Sequence, residues 1–491
     1  MYFCKAQQNN DIMTKRILTA VLAFTVSLCF LDAKVRLHHL IGDNMVLQQK
    51  TEARLYGYDD AGKKIRVTTS WDGKKYNVKT DGEGRWEVFV KTPAASFNPY
   101  EITFDDGEIV KIGNVLVGEV WVGAGQSNME MPVMGFNDCP TDNLLETIAD
   151  AVNSSAIRFA KIPSVEKMEP QEDADTKWNV VTPQSVIYAS ATAYFFARMV
   201  SRAENVPVGI IEANKGGTRV EGWLSRENLE KYTDEPLDWE SINKNPGQNY
   251  HHQMTWGNGT FSPILKYTIK GILFYQGCSN VGDPGNRYSE RMKILVEQWR
   301  EAFGLGEIPF YFVEIAPYSG NPAKADKTWS ARLREQQFRA SQIIPNSHMV
   351  TTNDAVYPYE ITQIHPAQKR KVGERLASAV LNKVYGQKGF PADSPSYESM
   401  KIEDDKIFLT FKNMNGGVNR FMDIDGFEIA GEDHVFYPAK CFAGRGKVFV
   451  FSDKVPAPVA VRYCFKNFKI GNFGNALGLP LIPFRTDNWD D

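Results

Sequence analysis

No block of like charge, no internal repeat and no low-complexity tract marks this chain of 491 residues, and none of its six cysteines lies close to another in sequence. Histidine is equally sparse, with seven in all. His38-His39 and His251-His252 are adjacent pairs whose rings point in different directions, and no pair falls at helical spacing. A metal site built on such pairs is therefore not indicated. The formal charge of −3, from 56 basic and 59 acidic residues, argues against a nucleic-acid partner. Nucleotide binding is unsupported too, and no cofactor is called for. The apolar stretch Ile17 to Leu31 is about 15 residues, short of the ~20 that span a bilayer. Lys15 and Arg16 precede it and Asp32-Ala33 follow, the charged, apolar, small-residue order of a secretory signal. Met1 to Asp11 read as an upstream start. Leu28 before Cys29 disfavours a lipoprotein anchor. The expectation is cleavage near Ala33, a secreted or periplasmic protein, and no stable membrane insertion. Four cysteines then remain, and in an oxidising compartment their sequence neighbourhood suggests pairing of Cys441 with Cys464 and of Cys139 with Cys278.

What is present divides into three patterns, as the length of the chain leads one to expect. From 34 to 112 short alternating strands (Ala53–Gly57, Ile65–Thr69, Tyr76–Lys79, Trp86–Val90) are punctuated by Asp-Gly turns, which predicts a small β-sandwich. From 113 to 390 strands alternate with helices. Strands are expected at Val115–Val122, Val208–Ile211, Ile269–Tyr275 and Pro309–Ile315, and helices at Ala191–Ser201, Tyr288–Phe303 and Ala331–Ile343. Alternation of this kind predicts an α/β domain with a mostly parallel sheet. From 391 to 491 short strands return at Ile407–Phe411, Lys447–Phe451 and Val459–Tyr463, which predicts a second β domain.

The apolar run from Val117 breaks into Gly125-Gln-Ser-Asn-Met at the point where a buried strand would end. α/β folds put their chemistry at the carboxyl ends of such strands, so Ser127 is the candidate nucleophile. A serine needs a base, and His365 sits in the right kind of place. Pro366 holds it at the junction between a loop and a helix whose stripe is Val372, Leu376, Ala379, Val380 and Val384. An ester's transition state also needs donors for its oxyanion. Two turns at strand ends offer them: Ala213-Asn-Lys-Gly-Gly-Thr-Arg, with the Gly217 N–H, and Tyr275-Gln-Gly-Cys-Ser-Asn, with the Asn280 amide.

Taken together, Gly125-Gln-Ser-Asn-Met, Gly216-Gly-Thr with Trp223 beyond, Tyr275-Gln-Gly-x-Ser-Asn and Ile364-His-Pro resemble the sialate O-acetylesterases and their acetylxylan esterase relatives among the SGNH hydrolases. The likeness extends to Asp43-Asn-Met-Val-Leu-Gln, to Ala460-Val-Arg-Tyr and to Gly478-Leu-Pro-Leu-Ile-Pro-Phe-Arg-Thr-Asp. It implies a flavodoxin-like three-layer hydrolase domain with flanking β-sandwiches. By it Ser127 is the nucleophile, His365 the base, and Gly217 and Asn280 the rest of the oxyanion hole. Gln126, Arg219, Trp223 and Gln276 would contact an acetylated carbohydrate, with Trp223 either a sugar platform or a core ring and Arg219 or Arg334 facing a sialic acid carboxylate.

The acid is where this chain departs from the family. Thr362 and Gln363 occupy the two places before the histidine where an aspartate is usual, and Cys278 replaces a common glutamate. Asp354 and Glu360 are the nearby substitutes, and a Ser-His dyad is the alternative. Two readings follow: an esterase acting on 9-O-acetyl sialic acid or on acetylated xylan, or a carbohydrate-binding pseudoenzyme that has lost its acid.

Overall fold

The computed structural model describes residues 35–244, 246–283, 287–418 and 423–489. The signal-like segment 1–33 lies outside the described residues.

The apolar run that ends at Ser127 is part of a strand longer than expected, Ile109–Gly125. Residues 109 to 114 are exposed or half-buried apart from Ile112, whereas Val115 to Gly125 are buried throughout. The first half pairs antiparallel with Ser96–Asp105, and Leu116 to Gly118 pair parallel with Val46–Gln48. The second half lies parallel between Val208–Asn214 and Gly271–Tyr275. One strand thus belongs to both the amino-terminal and the central pairing, in an eleven-stranded sheet, and the division expected at 112/113 falls inside it. Asp43-Asn-Met-Val-Leu-Gln feeds this junction: Gln48 accepts from the Val120 N–H at 2.9 Å and donates to Glu119 at 3.1 Å.

Across its central part the sheet runs Trp178–Val180, Ile157–Lys161, Val208–Asn214, Ile109–Gly125, Gly271–Tyr275, Phe310–Val313, Ser347–Val350. All are parallel except the edge strand Trp178–Val180. Leaving aside the first two, the order is second, first, third, fourth, fifth. This is a doubly wound sheet whose chain direction switches beside its first strand, the strand that ends at Ser127. Alternate residues face opposite layers. Trp121, Leu273, Tyr275 and Val313 pack with Phe195, Phe196, Leu376 and Val380 of the helices Ala191–Glu204 and Lys369–Lys383. Val122, Ala124, Phe274 and Phe312 pack with Met292, Leu295, Trp299 and Leu333 of Tyr288–Phe303 and Trp329–Ile343. The periodicity of Tyr288–Phe303 places Tyr288, Met292, Leu295, Val296, Trp299 and Phe303 on one face, and all are buried. Ser190 opens the Ala191–Glu204 helix by accepting from the Ala193 N–H, and left-handed Asn205 closes it.

The amino-terminal region adds a three-stranded sheet of Arg36–Leu37, Glu52–Tyr58 and Arg85–Lys91. In the carboxyl-terminal region two four-stranded sheets share one core: Ile407, Leu409 and Val450 from one meet Phe427, Ile429 and Val461 from the other. Arg462 and Asp487, in two motifs far apart in sequence, form a bidentate pair at 2.8 and 2.9 Å. The expected disulfides are not formed, for all four cysteines are free. Cys441 lies in Lys440–Gly444 of one sheet, and Cys464 follows Ala460–Tyr463 of the other. The Cys139 thiol donates to Asp138 instead, at 3.4 Å. Among the described residues no helix is long and apolar enough to cross a membrane.

Candidate active site

Gly125 makes the turn that presents Ser127. Its φ is +136°, and a side chain there would collide with the Tyr275 carbonyl, so only glycine suits. The Gln126 N–H bonds to that same carbonyl at 3.0 Å, and Ser127 then opens the short helix Ser127–Glu130. His365 arrives from the far end of the hydrolase region. Its Nε2 lies 2.8 Å from Ser127 Oγ, a hydrogen bond between candidate nucleophile and base. Two contacts aim the histidine loop: Asn128 Nδ2 donates to the Ile364 carbonyl at 3.0 Å, and the His365 N–H donates to Gln363 Oε1 at 3.0 Å. Phe136 packs its ring edge to face against the imidazole at 5.0 Å.

Burial, together with the positive charge of Lys369, pushes the His365 pKa down to about 4, and Asp138 opposes that shift. The imidazole is therefore neutral at pH 7 and free to accept a proton. Lys369 is itself 1% exposed, and burial lowers its pKa to about 7.

Neither substitute acid reaches the ring. Asp354 is bound by both Arg375 nitrogens at 3.0 Å and by Lys371 at 3.0 Å, and these cations overcome burial and hold its carboxyl low. Glu360 spends its oxygens on the Tyr357 and Ala367 N–H groups, at 2.7 and 2.8 Å. Among the described residues no carboxylate is hydrogen-bonded to the His365 ring. Burial raises the Cys278 thiol to about 12, so it brings no charge to the place it occupies. The carboxylate whose field favours the imidazolium is Asp138, in the hairpin beside Phe136, and proximity in sequence gave no reason to look there.

The two glycine and asparagine turns do lie around the serine. A Cβ at Gly216 would stand 3.3 Å from Ser127 Cβ, so bare backbone passes close to the hydroxyl. The Gly216 N–H is taken by Glu130 Oε2 at 2.7 Å, which leaves the Gly217 N–H next along the loop. Gly217 has φ +80° and lies under the Tyr250 ring. Across the site, Asn280 Oδ1 accepts from the Val220 N–H and from Gln276 Nε2, each at 2.9 Å. Its Nδ2 donates to Glu221 Oε2 at 3.0 Å. Glu221 is fully buried and paired on its other oxygen with Arg291 at 2.5 Å. One Asn280 N–H remains, on an amide whose orientation is fixed.

The expected substrate contacts are placed differently. Trp223 is 0% exposed and donates to Thr218 Oγ1 at 3.1 Å, so it is a core residue and no sugar platform. Gln126 and Gln276, 2% and 1% exposed, are internal struts. Gln126 Oε1 holds the Gly277 N–H at 2.8 Å, and Gln276 is bonded to Thr218, Asn280 and Tyr288. Arg219 is neutralised by a bidentate pair with Glu235 at 2.8 and 3.1 Å, and Arg334 is buried beside the Cys464 carbonyl. Asn128, Glu130 and Glu221 carry no role in the sequence reading, although Asn128 adjoins the serine and Glu130 lies three residues beyond it, and Gln363 is noted there only as standing where an acid is usual.

A doubly wound sheet with a serine at the end of its first strand, hydrogen-bonded to a histidine from beyond the last, defines an esterase-like site of the SGNH class. Comparison with known proteins gives the same class. Residues 117–382 match the family described as "Carbohydrate esterase, sialic acid-specific acetylesterase", and the chain belongs to that family. It is 26% identical to human sialate O-acetylesterase over 401 residues, covering 74% of this chain and 73% of that one. With the mouse sialate O-acetylesterase it shares 25% over 489 residues, covering 87% and 88%. Among solved structures it is similar to a carbohydrate acetylesterase from Xanthomonas citri, with TM-score 0.82 and 30% identity, over 93% of this chain and 100% of that one.

Proposed function

We propose that the protein removes O-acetyl groups from carbohydrate by a Ser-His acyl-enzyme mechanism, with 9-O-acetylated sialic acid as the first substrate and acetylated xylan as the alternative. The 2.8 Å contact between His365 Nε2 and Ser127 Oγ carries the reading. Ser127 Oγ attacks the acetyl carbonyl carbon as its proton passes to neutral His365. The carbonyl oxygen takes up the negative charge, facing the Ser127 and Gly217 N–H groups and the remaining Asn280 N–H. Collapse expels the sugar oxygen, which leaves with the proton from His365, and acetyl-Ser127 remains. Water then attacks the acetyl carbon, gives a proton to His365, and acetate departs as Ser127 recovers that proton. No carboxylate contacts the ring in this scheme, and Asp138 steadies the imidazolium through space.

The names of the relatives support sialic acid as the sugar. The order of residues 15 to 33 supports action outside the cytoplasm, and amino-terminal sequencing of the exported protein near Lys34 would check it. The test of the activity is acetate release by residues 34–491 from an aryl acetate, from 9-O-acetylated sialic acid and from acetylated xylan, beside Ser127→Ala and His365→Ala. Turnover on one of the sugars that falls by about 10^3-fold or more in both variants is expected. No release above the Ser127→Ala background on any substrate would reject the esterase and leave the carbohydrate-binding pseudoenzyme.

A further inference from the structure

With Trp223 in the core, the sugar platform lies elsewhere. A cleft of about 180 Å3, on the scale of one hexose ring, opens beside Asn280 and is lined by Asp283, Trp329, Leu333 and Gln336 among others. Leu333 adjoins the candidate active site: a Cβ on Gly277 would stand 3.2 Å from Leu333 Cδ2, and the Gly277 N–H is the one held by Gln126, the neighbour of Ser127. From this wall the first residue of the Trp329–Ile343 helix projects, with Trp329 45% exposed although it is a large indole.

We infer that this cleft binds a neutral pyranose, the sugar next to the acetylated one, with Trp329 as the stacking platform. The inference rests on the esterase reading of Ser127, and it makes the substrate a glycan chain in place of a free monosaccharide. A pyranose offers an apolar C–H face and a rim of hydroxyls. The indole answers the face. Planar polar groups answer the rim. Gln336 Oε1 accepts from Ser289 at 2.8 Å, so its amide nitrogen stays a donor. Asp283, its side chain 8% exposed, is held through Oδ1 by Arg291 at 3.1 Å, and its Oδ2 has no partner among the described residues. Arg332, on the cleft wall, bonds Thr328 and the Trp489 carbonyl, each at 3.3 Å. Asp283, a carboxylate of the same lining with an oxygen that has no partner among the described residues, suits a sugar hydroxyl and repels a sugar carboxylate, so a neutral ring fits.

The test compares 9-O-acetylated sialyllactose with free 9-O-acetylated sialic acid, and acetylated xylotetraose with an aryl acetate, for the native chain, Trp329→Ala and Trp329→Phe. The native enzyme should favour the oligosaccharides. Trp329→Ala should lose about tenfold or more in kcat/KM on them, mainly through KM, keep its rate on the aryl acetate, and be largely restored in Trp329→Phe. Equal losses on all substrates, or none on the oligosaccharides, would overturn the proposal. Binding of unacetylated sialyllactose and xylotetraose to Ser127→Ala, measured by calorimetry, separates the two readings. Binding abolished by adding Trp329→Ala supports the cleft even if no ester is hydrolysed, and binding that survives it refutes the cleft even if esters are.

Discussion

Replacing Lys369 with glutamine and Asp138 with asparagine should move the titration of His365 in opposite directions. Burial and the Lys369 charge hold that pKa near 4, and Asp138 pulls upward. The reactive form is the neutral imidazole, so kcat/KM should stay level from neutral pH down to about 5 and fall through about pH 4. At pH 5 an imidazole of pKa about 4 is ~90% neutral and one of pKa 6.5 is ~3% neutral, a difference of roughly 30-fold in competent base. Lys369, with its own pKa near 7, is charged below about pH 6, so its effect is present where the acid limb lies. Lys369→Gln removes a charge that opposes the imidazolium. The limb should rise, yet stay below 6.5 because burial remains. Asp138→Asn removes a charge that favours the imidazolium, so the limb should fall. The assay is kcat/KM on an aryl acetate from pH 3.5 to 8, with tryptophan emission confirming that the fold persists at each pH. A native limb at 6.5 or above, or a downward move in Lys369→Gln, would refute this account of the site.

Two further substitutions address the surroundings. Asp354→Asn should leave kcat within about twofold while lowering stability by ~2 kcal/mol, because its carboxylate serves Arg375 and Lys371 and the pair is only partly buried. A large loss of kcat at unchanged melting temperature would make Asp354 the missing acid. Glu221→Gln should lower kcat by about 10- to 100-fold with KM little changed, since a carboxamide offers a single acceptor oxygen and cannot hold both Asn280 and Arg291. Undiminished kcat in a folded variant would remove Asn280 from the oxyanion hole.

Much of this was legible in the sequence where one segment decides the outcome. The Tyr288–Phe303 helix and the Lys447–Phe451 strand have the expected bounds because their periodicity is uninterrupted and turn residues flank them. Ser127 and His365 could be chosen because a glycine turn and a proline junction each leave a local mark. Ile157–Lys161 and Ser347–Val350 were not anticipated, since four or five residues carry too little periodicity to stand out from loop. The sequence points to the neighbourhood of the histidine for the acid, whereas the carboxylate acting on His365 comes from a hairpin near the serine, which only the fold brings close. Trp223, open in the sequence between platform and core, lies in the core. A tryptophan after a glycine in a candidate site loop has no sequence mark that separates a platform from a core ring. Lys369 in the first turn of a helix reads as solvated, and its burial depends on neighbours from other elements.

The strand Ile109–Gly125 has a mechanical consequence. At about 3.3 Å per residue its path is roughly 50 Å long, bent where Asn114 takes φ +53° and the pairing with Ser96–Asp105 shifts register, yet continuous from the amino-terminal pairing into the central sheet. Accessory regions of enzymes commonly hang on linkers and can be exchanged like cassettes. Here residues 35–112 cannot be removed without stripping Val46–Gln48 and Ser96–Asp105 from the flank of the strand that carries the serine, leaving unpaired edge backbone behind. Engineers seeking a minimal version of this protein should therefore keep the amino-terminal sheets as part of the frame that aims Ser127.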